Sequence, residues 1–341
     1  MINTIIACFY FNCCFVNSNI DMLKVGSFFA GIGGICLAFK NAGYELLWSN
    51  EIDKAACKTY RKNFHHLLIE DDICNLKPTD LQKVDVITGG FPCQAFSIAG
   101  YRKGFEDPRG KLFFKMLQFI DAFQPKALFF ENVRYLKTHN NGKTYSSIKN
   151  ALETRGYYIA DKVLDTCECS ILPQHRQRFY MVCFKNKKQR DLFERDGWPK
   201  SIDQSKRLSF DEIVDKTADD LHYFKNYPHY YFTAMKAIDD TKAFYQWRRV
   251  YCRKNKSGVC PTLTANMGGG GHNVPLVMDS KGLRRLTPQE CLRLQGFDDK
   301  KFIFPEDISL GNKYKQVGNS VSVPVVQEIA GNMLTILKNI K

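Results

Sequence analysis

Along the first half of the chain, short apolar runs that stop at acidic or glycine positions alternate with stretches whose apolar residues recur at three- and four-residue spacing. Lys24 to Phe28 is one such run. It leads into Ala30-Gly31-Ile32-Gly33-Gly34, after which Ile35, Leu37, Ala38 and Phe39 take up helical spacing, so strand, tight turn and helix are predicted. Asn41-Ala42-Gly43 ends that helix, and Glu45 to Asn50 predicts a second strand closing on Glu51. The pattern repeats with a strand from His66 to Glu70 before Asp71-Asp72, and another from Val84 to Thr88 before Gly89-Gly90. A helix from Lys111 to Phe123 and a strand from Ala127 to Phe130 before Glu131 follow, and strands at Tyr157 to Leu164 and Arg178 to Phe184 complete the series. Such alternation predicts the α/β class: a doubly wound, mostly parallel, Rossmann-like sheet.

From Lys185 the apolar periodicity weakens and Lys and Arg outnumber Asp and Glu, which marks a second, smaller domain. The last helix is predicted from about Pro324 to Leu337, with the proline in its first turn. The expected division is therefore 1–21, 22–184, 185–282 and 283–341, the first being an extension outside the fold, with Met1 and Met22 both open as the native start.

Composition changes this picture in three places. A chain of 341 residues, 44% hydrophobic and 25% charged, is of globular type and large enough for two domains. A formal charge of +14, from 49 Lys and Arg against 35 Asp and Glu, favours a polyanionic partner, nucleic acid first, although a basic surface can also serve solubility. The 13 cysteines are scattered without a C-x-x-C pair, which suits a reducing cytoplasm better than a zinc site or a disulfide framework, and no metal is expected. Ile5 to Val16 is shorter than the roughly 20 apolar residues a membrane-spanning helix needs and has no basic leader, so no membrane partner is expected.

Chemistry gathers where strands end. A glycine turn opening a helix lets backbone approach a ligand closely, although its spacing is not the dinucleotide G-x-G-x-x-G. Glu51, ending the second strand, is placed to accept ribose hydroxyls, and Asp72, ending the third, to accept from an adenine amino group. Either carboxylate alone would read as a solvated loop residue. Gly89-Gly90-Phe91-Pro92-Cys93-Gln94 sets a cysteine on the loop after the fourth strand, where ligands bind in such sheets. A thiolate nucleophile there needs a positive environment, whereas most other cysteines in the chain read as small buried hydrophobes. Ser97 to Arg109, glycine-containing and basic, suits a flap closing over phosphate. Glu131 should face the same crevice as a proton donor. Arg176 and Arg178 sit at alternate positions, able to hold a carbonyl oxygen or lower a thiol pKa, or to form a surface salt-bridge pair.

At these residues the chain resembles the bacterial type II DNA (cytosine-5)-methyltransferases, from Lys24 to Ile336. The resemblance is carried by Phe29-x-Gly31-x-Gly33-Gly34, Pro92-Cys93-Gln94, Glu131-Asn132-Val133, Gln174-x-Arg176-x-Arg178, Arg285 to Cys291 with Leu294 to Phe297, and Gly318-Asn319-Ser320-Val321. It implies S-adenosylmethionine as cofactor, held by Phe28, Ala30, Gly31, Gly33, Gly34, Glu51, Ile52, Asp72, Ile73, Pro92 and Asn319. It implies Cys93 as nucleophile at C6 of a cytosine flipped out of duplex DNA. Glu131 would act at N3 and the exocyclic amine, Arg178 would hold O2, and Arg176 would orient the loop or base. The 22–184 segment would be the catalytic and cofactor domain, 185–282 the target-recognition domain, and 283–341 a segment whose last helix returns to the first. Gln94, Ser97, Arg109, Arg248, Arg249 and Thr262 would contact DNA, Thr262 at the target's phosphate. Double-stranded DNA is the implied partner, with a monomer as the default state and a cognate restriction endonuclease beside it.

Glu168-Cys169-Ser170 departs from the family's Asp-aromatic-Gly run, and the N-terminal extension is unlike the family. Three alternatives stand beside this reading. They are a methyltransferase of the same family acting on transfer RNA, a cysteine hydrolase pairing Cys93 with His65, His66 or His175, and an inactive DNA-binding regulator.

Overall fold

The computed structural model describes residues 22–92, 111–224, 233–248, 251–255, 257–267 and 272–340. Two sheets organise them. The larger has seven strands in the order β3-β2-β1-β4-β5-β7-β6: β1 (Lys24–Phe28), β2 (Glu45–Glu51), β3 (Leu67–Glu70), β4 (Val86–Gly89), β5 (Ala127–Val133), β6 (Tyr158–Asp165) and β7 (Gln177–Phe184). The five strands from β3 to β5 pair parallel, whereas β7 lies between β5 and β6 antiparallel to both. The 166–176 connection carries a single helical turn, Thr166–Cys169, too little for the crossover that a parallel return requires.

Alternate strand residues fill two apolar layers. Val25, Val86, Phe129 and Val182 face one side, where α1 (Gly34–Asn41) and α2 (Lys54–Asn63) pack; Phe28, Trp48, Ile87, Leu128 and Met181 face the other, against α3 (Lys111–Phe123) and α4 (Lys143–Glu153). The alternation predicted from the sequence is thus the observed layering. β5 runs three residues beyond the expected Phe130 because β7 pairs with it as far as Val133, so Glu131 lies within the strand.

The smaller sheet is antiparallel, in the order β11-β10-β8-β9, built from β8 (Tyr245–Arg248), β9 (Tyr251–Lys254), β10 (His272–Asp279) and β11 (Gly282–Arg285) around Tyr245, Trp247, Val274 and Leu276. From it the chain returns through α5 (Pro288–Gln295), α6 (Leu310–Asn319) and α7 (Val323–Asn339). α5 begins on a capping box in which the Thr287 hydroxyl accepts from Glu290 N–H and the Glu290 carboxylate accepts from Thr287 N–H. α7 packs along α1, where the Tyr44 hydroxyl donates to the Ala330 carbonyl at 3.2 Å. Leu310–Asn339 is long and apolar enough to cross a membrane, but it comprises two helices, and Val326, Ile329, Ala330 and Met333 are fully buried in the core.

Candidate active site

A cavity of about 500 Å³ opens at the C-terminal ends of β1, β2, β4 and β5, the place where an open α/β sheet binds ligands. One end is made by the turn after β1. Phe29, Gly31 and Gly33 all adopt positive φ, at 56°, 57° and 91°, which turns the chain back within a few residues before α1 starts. At Gly33 a side chain is excluded twice, by φ and because a Cβ would lie 2.3 Å from the Phe64 ring. The Gly31 N–H donates to Glu51 Oε2 at 2.7 Å, while Glu51 Oε1 accepts from Ile52 and Asp53 N–H, so the carboxylate is fixed at the cavity wall. Asn50 donates to the carbonyls of Ile69 and Asp71, which holds the ends of β2 and β3 side by side. Asp72, half-buried on the wall, accepts from Cys74 N–H through one oxygen.

Glu131 and Arg178 occupy the other end. Arg178 pairs across the sheet with Val133, which makes it a diagonal neighbour of Glu131, and its Nε lies 3.1 Å from Glu131 Oε1. That oxygen nevertheless accepts no aligned hydrogen bond. Burial raises the Glu131 pKa, and the charges of Arg178 and Arg176 oppose the shift without cancelling it. Such a carboxyl can hold a proton and donate it. Gly90 runs directly against it, a Cβ there falling 3.8 Å from Glu131 Oε2, and the Asn132 amide donates to the Phe91 carbonyl at 2.7 Å. The strand bearing the acid therefore anchors the Phe91-Pro92 loop that leads to Cys93.

Residues 23–335 match the family described as C-5 cytosine-specific DNA methylase. The chain belongs to that family. Among its relatives, the type II methyltransferase M.Bsp6I of Bacillus sp. (strain RFL6) is 46% identical over 317 residues, covering 92% of this chain and 98% of that one. The type II methyltransferase M.HaeII of Haemophilus aegyptius is 39% identical over 321 residues, covering 92% and 93%. A putative DNA modification methyltransferase from an Escherichia coli prophage superposes with a TM-score of 0.71 at 21% identity, over 93% of this chain and 100% of that one. Dnmt2 methyltransferase of S. pombe gives 0.72 at 19%, over 92% and 99%. At these identities the two structures establish the fold alone. The protein is a DNA (cytosine-5)-methyltransferase.

In this methyltransferase the described residues expected at the cofactor divide into two groups. Gly31, Glu51, Ile52, Asp72, Ile73, Pro92 and Asn319 line the cavity. Phe28 is a correction: its ring is fully buried between Trp48 and Phe119, and the ring at the cavity is that of Phe29, because the chain reverses immediately after β1. Ala30, Gly33 and Gly34 shape the turn from behind. Ala30 N–H donates to the Asn50 carbonyl, and a Cβ on Gly34 would lie 2.5 Å from Ser320 Oγ. That close approach is how the Gly318-Asn319-Ser320-Val321 segment docks on the glycine turn and brings Asn319 to the cavity.

Arg176 is buried at the wall, but its guanidinium faces protein: it donates to the carbonyls of Leu263 (2.9 Å), Gly318 (3.2 Å) and Ser320. Burial, with Arg178 beside it, lowers its pKa to about 9, so it stays cationic at neutral pH. It is a positioning residue that ties three segments together. Gln174 assists, donating to the Leu294 carbonyl and accepting from Leu263 N–H. Thr262 sits on this tied segment, its hydroxyl donating to the His175 carbonyl at 2.6 Å. Arg248 is exposed at the end of β8. Cys93, Gln94, Ser97, Arg109, Arg249 and the 1–21 extension lie outside the described residues. Of the histidines offered to a hydrolase, His66 hydrogen-bonds Ser49 and Tyr60, His175 adjoins Cys167 and Asp165, and His65, like both of these, is absent from the cavity wall.

Asn50, Asp53, Asn132, Lys315 and Gln316 also line the cavity, and the sequence reading assigned them no role. Lys315 Nζ reaches Asp53 Oδ2 at 2.6 Å across its rim, a pairing 262 residues apart that no local pattern signals.

Proposed function

We propose that the cavity binds S-adenosylmethionine at its Gly31–Glu51–Asp72 end and, at its Glu131–Arg178 end, a cytosine turned out of duplex DNA, whose C6 is attacked by Cys93. The reading rests on one observation: a buried carboxyl, its pKa raised by burial and its Oε1 3.1 Å from an arginine Nε, shares a single cavity with a glycine turn and a carboxylate fixed at the wall. The residues fit the cofactor, because Glu51 and Asp72 offer acceptor oxygens for hydroxyl and amino groups and Ile52 and Ile73 offer apolar surface. Bound there, S-adenosylmethionine supplies an electrophilic methyl group.

Cys93 forms a sulfur–carbon bond to C6, and the C5–C6 double-bond electrons move toward C5 as Glu131 holds a proton at N3. Arg178 steadies the base oxygen O2. C5 takes the methyl group, whose bond to the cofactor sulfur breaks with the electron pair left on that sulfur, giving S-adenosylhomocysteine. C5 then loses its hydrogen as a proton to solvent, and the electrons left behind restore the double bond and expel the Cys93 thiolate. A stacked base hides C6, so the base must first leave the helix. Residues 185–282, with the smaller sheet, serve as the target-recognition domain, Arg248, Arg249 and Thr262 approaching the DNA there and Gln94, Ser97 and Arg109 near the extruded base. The charge of +14 favours this partner. The enzyme works in a restriction-modification system, a reading that the type II names of its relatives support, and does so as a cytoplasmic monomer, the default that the family resemblance carries.

The test is transfer of tritiated methyl groups from S-adenosylmethionine to duplex DNA and, separately, to transfer RNA. Labelled DNA, a covalent adduct with 5-fluorocytosine DNA and loss of both in Cys93→Ser are expected. Labelling of RNA with no DNA adduct would overturn the proposal.

A further inference from the structure

Outside the cavity, the connection between β6 and β7 closes a second constellation. Asp165 ends β6, Cys167 follows on the helical turn, and His175 returns just before β7. His175 Nδ1 lies 3.1 Å from Cys167 Sγ and 3.1 Å from Asp165 Oδ2, and Cys167 Sγ lies 3.4 Å from Asp165 Oδ1. Asp165 and Cys167 are buried, whereas 44% of the His175 side chain is exposed.

A thiol, an imidazole and a carboxylate invite comparison with a nucleophilic triad. A triad, however, uses both ring nitrogens of its histidine, one toward the nucleophile and one toward the carboxylate. Here both contacts fall on Nδ1, so a proton cannot be relayed through the ring. An imidazole nitrogen, a thiol sulfur and a carboxylate whose ligand atoms all lie within 4.8 Å of one another are instead the arrangement of metal ligands. Ligand atoms held tetrahedrally at about 2.0–2.3 Å from zinc lie roughly 3.3–3.6 Å apart, against 3.1 Å from His175 Nδ1 to Cys167 Sγ and to Asp165 Oδ2, and 3.4 Å from Cys167 Sγ to Oδ1 of the same carboxylate.

The supporting contacts are already made. Asp165 Oδ1 accepts from Arg176 N–H at 2.9 Å, which orients the carboxylate. The His175 backbone is held on both sides, its N–H donating to the Cys260 carbonyl at 2.8 Å and its carbonyl accepting from the Thr262 hydroxyl. The exposed ring gives a hydrated ion an approach from solvent.

We propose that Asp165, Cys167 and His175 bind a thiophilic divalent cation of the zinc class, separately from the methyl-transfer cavity. On binding, the Cys167 thiol releases its proton to solvent. Its sulfur, His175 Nδ1 and an Asp165 oxygen take three positions, and water keeps the fourth. A thiolate in the set disfavours magnesium and calcium. The ion bridges the end of β6 to the residue beside Arg176, so it stabilises the folded chain and clamps the segment that Arg176 anchors.

The test is anaerobic titration of the full chain with cobalt(II), followed by displacement with zinc. One cobalt per chain, a thiolate-to-cobalt charge-transfer band and a raised unfolding midpoint are expected. Cys167→Ser should lose the band. Because that residue is buried, His175→Ala, which removes a half-exposed ring, provides the second arm: zinc affinity by calorimetry should fall roughly tenfold or more. A wild type that binds no cobalt, a band that survives Cys167→Ser, or unchanged zinc affinity in His175→Ala would overturn the proposal.

Discussion

Among the described residues of this methyltransferase, two arginine–glutamate pairs lie in the interior, and they are built in opposite ways. Arg284 and Glu290, both fully buried, leave little unsatisfied: Arg284 donates to both Glu290 oxygens at 2.8 Å, to Asp279 at 2.6 Å and to the carbonyls of Arg285 and Asp215. Glu290 accepts in addition from the Asp215 and Thr287 N–H groups. Burial works against the arginine's charge, but the bonds to Glu290 and Asp279 outweigh it and hold its pKa above the usual value. Glu131, by contrast, keeps an oxygen without an aligned donor, and its pKa is raised. A buried polar group left incomplete lowers stability, and such groups cluster where a ligand completes them. The first pair fastens the smaller sheet to α5, and the second stands incomplete at the cavity, where the proposed reading puts the base.

The comparison breaks most easily at Glu290. Glu290→Ala leaves Arg284 one carboxylate, that of Asp279, beside two carbonyls and removes the α5 capping box, so it should cost roughly 3–5 kcal/mol in urea unfolding. A loss below about 1 kcal/mol would mean the first pair fastens nothing. Arg176→Lys replaces a planar fork on three carbonyls by a single ammonium, and should destabilise by about 2 kcal/mol in the same assay. Glu131→Gln should shift stability by no more than about 1 kcal/mol in either direction, because it replaces a buried carboxyl group, one oxygen of which has no aligned donor, by an amide of the same shape.

The smallest effect belongs to the satisfied cluster behind the glycine turn, where His66 Nε2 meets the Ser49 hydroxyl at 3.0 Å and the Tyr60 hydroxyl at 2.8 Å. Burial first, and Lys40 second, lower the His66 pKa to about 4. The unfolded chain, with His66 near about 6.5, takes the proton first, so this contribution is present above about pH 6.5 and lost as pH falls toward the folded value. Discounted for partial exposure, it is below about 1 kcal/mol. It is read as the difference between wild type and His66→Asn in unfolding midpoint against pH.

What was legible in the sequence was local. The glycine turn follows from residue type at fixed spacing, and the strand ends bearing Glu51, Asp72 and Glu131 follow from apolar runs that stop at acids. Phe28 came from the family resemblance, and the turn places it otherwise: with Phe29 at positive φ the chain reverses, so the Phe29 ring meets the cavity and the Phe28 ring stays buried. The antiparallel insertion of β7 and the docking of Leu263 on Gln174 and Arg176 depend on partners far along the chain. Arg176 and Arg178 read as equivalent from alternation, yet one faces backbone carbonyls and the other the acid, because Arg176 precedes the strand.

The most direct test of the proposal that Glu131 carries a proton to the base is single-turnover methylation of duplex DNA over a wide range of pH. The wild-type rate should fall as pH rises and Glu131 loses its proton, whereas Glu131→Gln should be slower by roughly 10²–10⁴ and insensitive to pH over that range. A variant with the wild-type rate, or with the wild-type dependence on pH, would contradict the account.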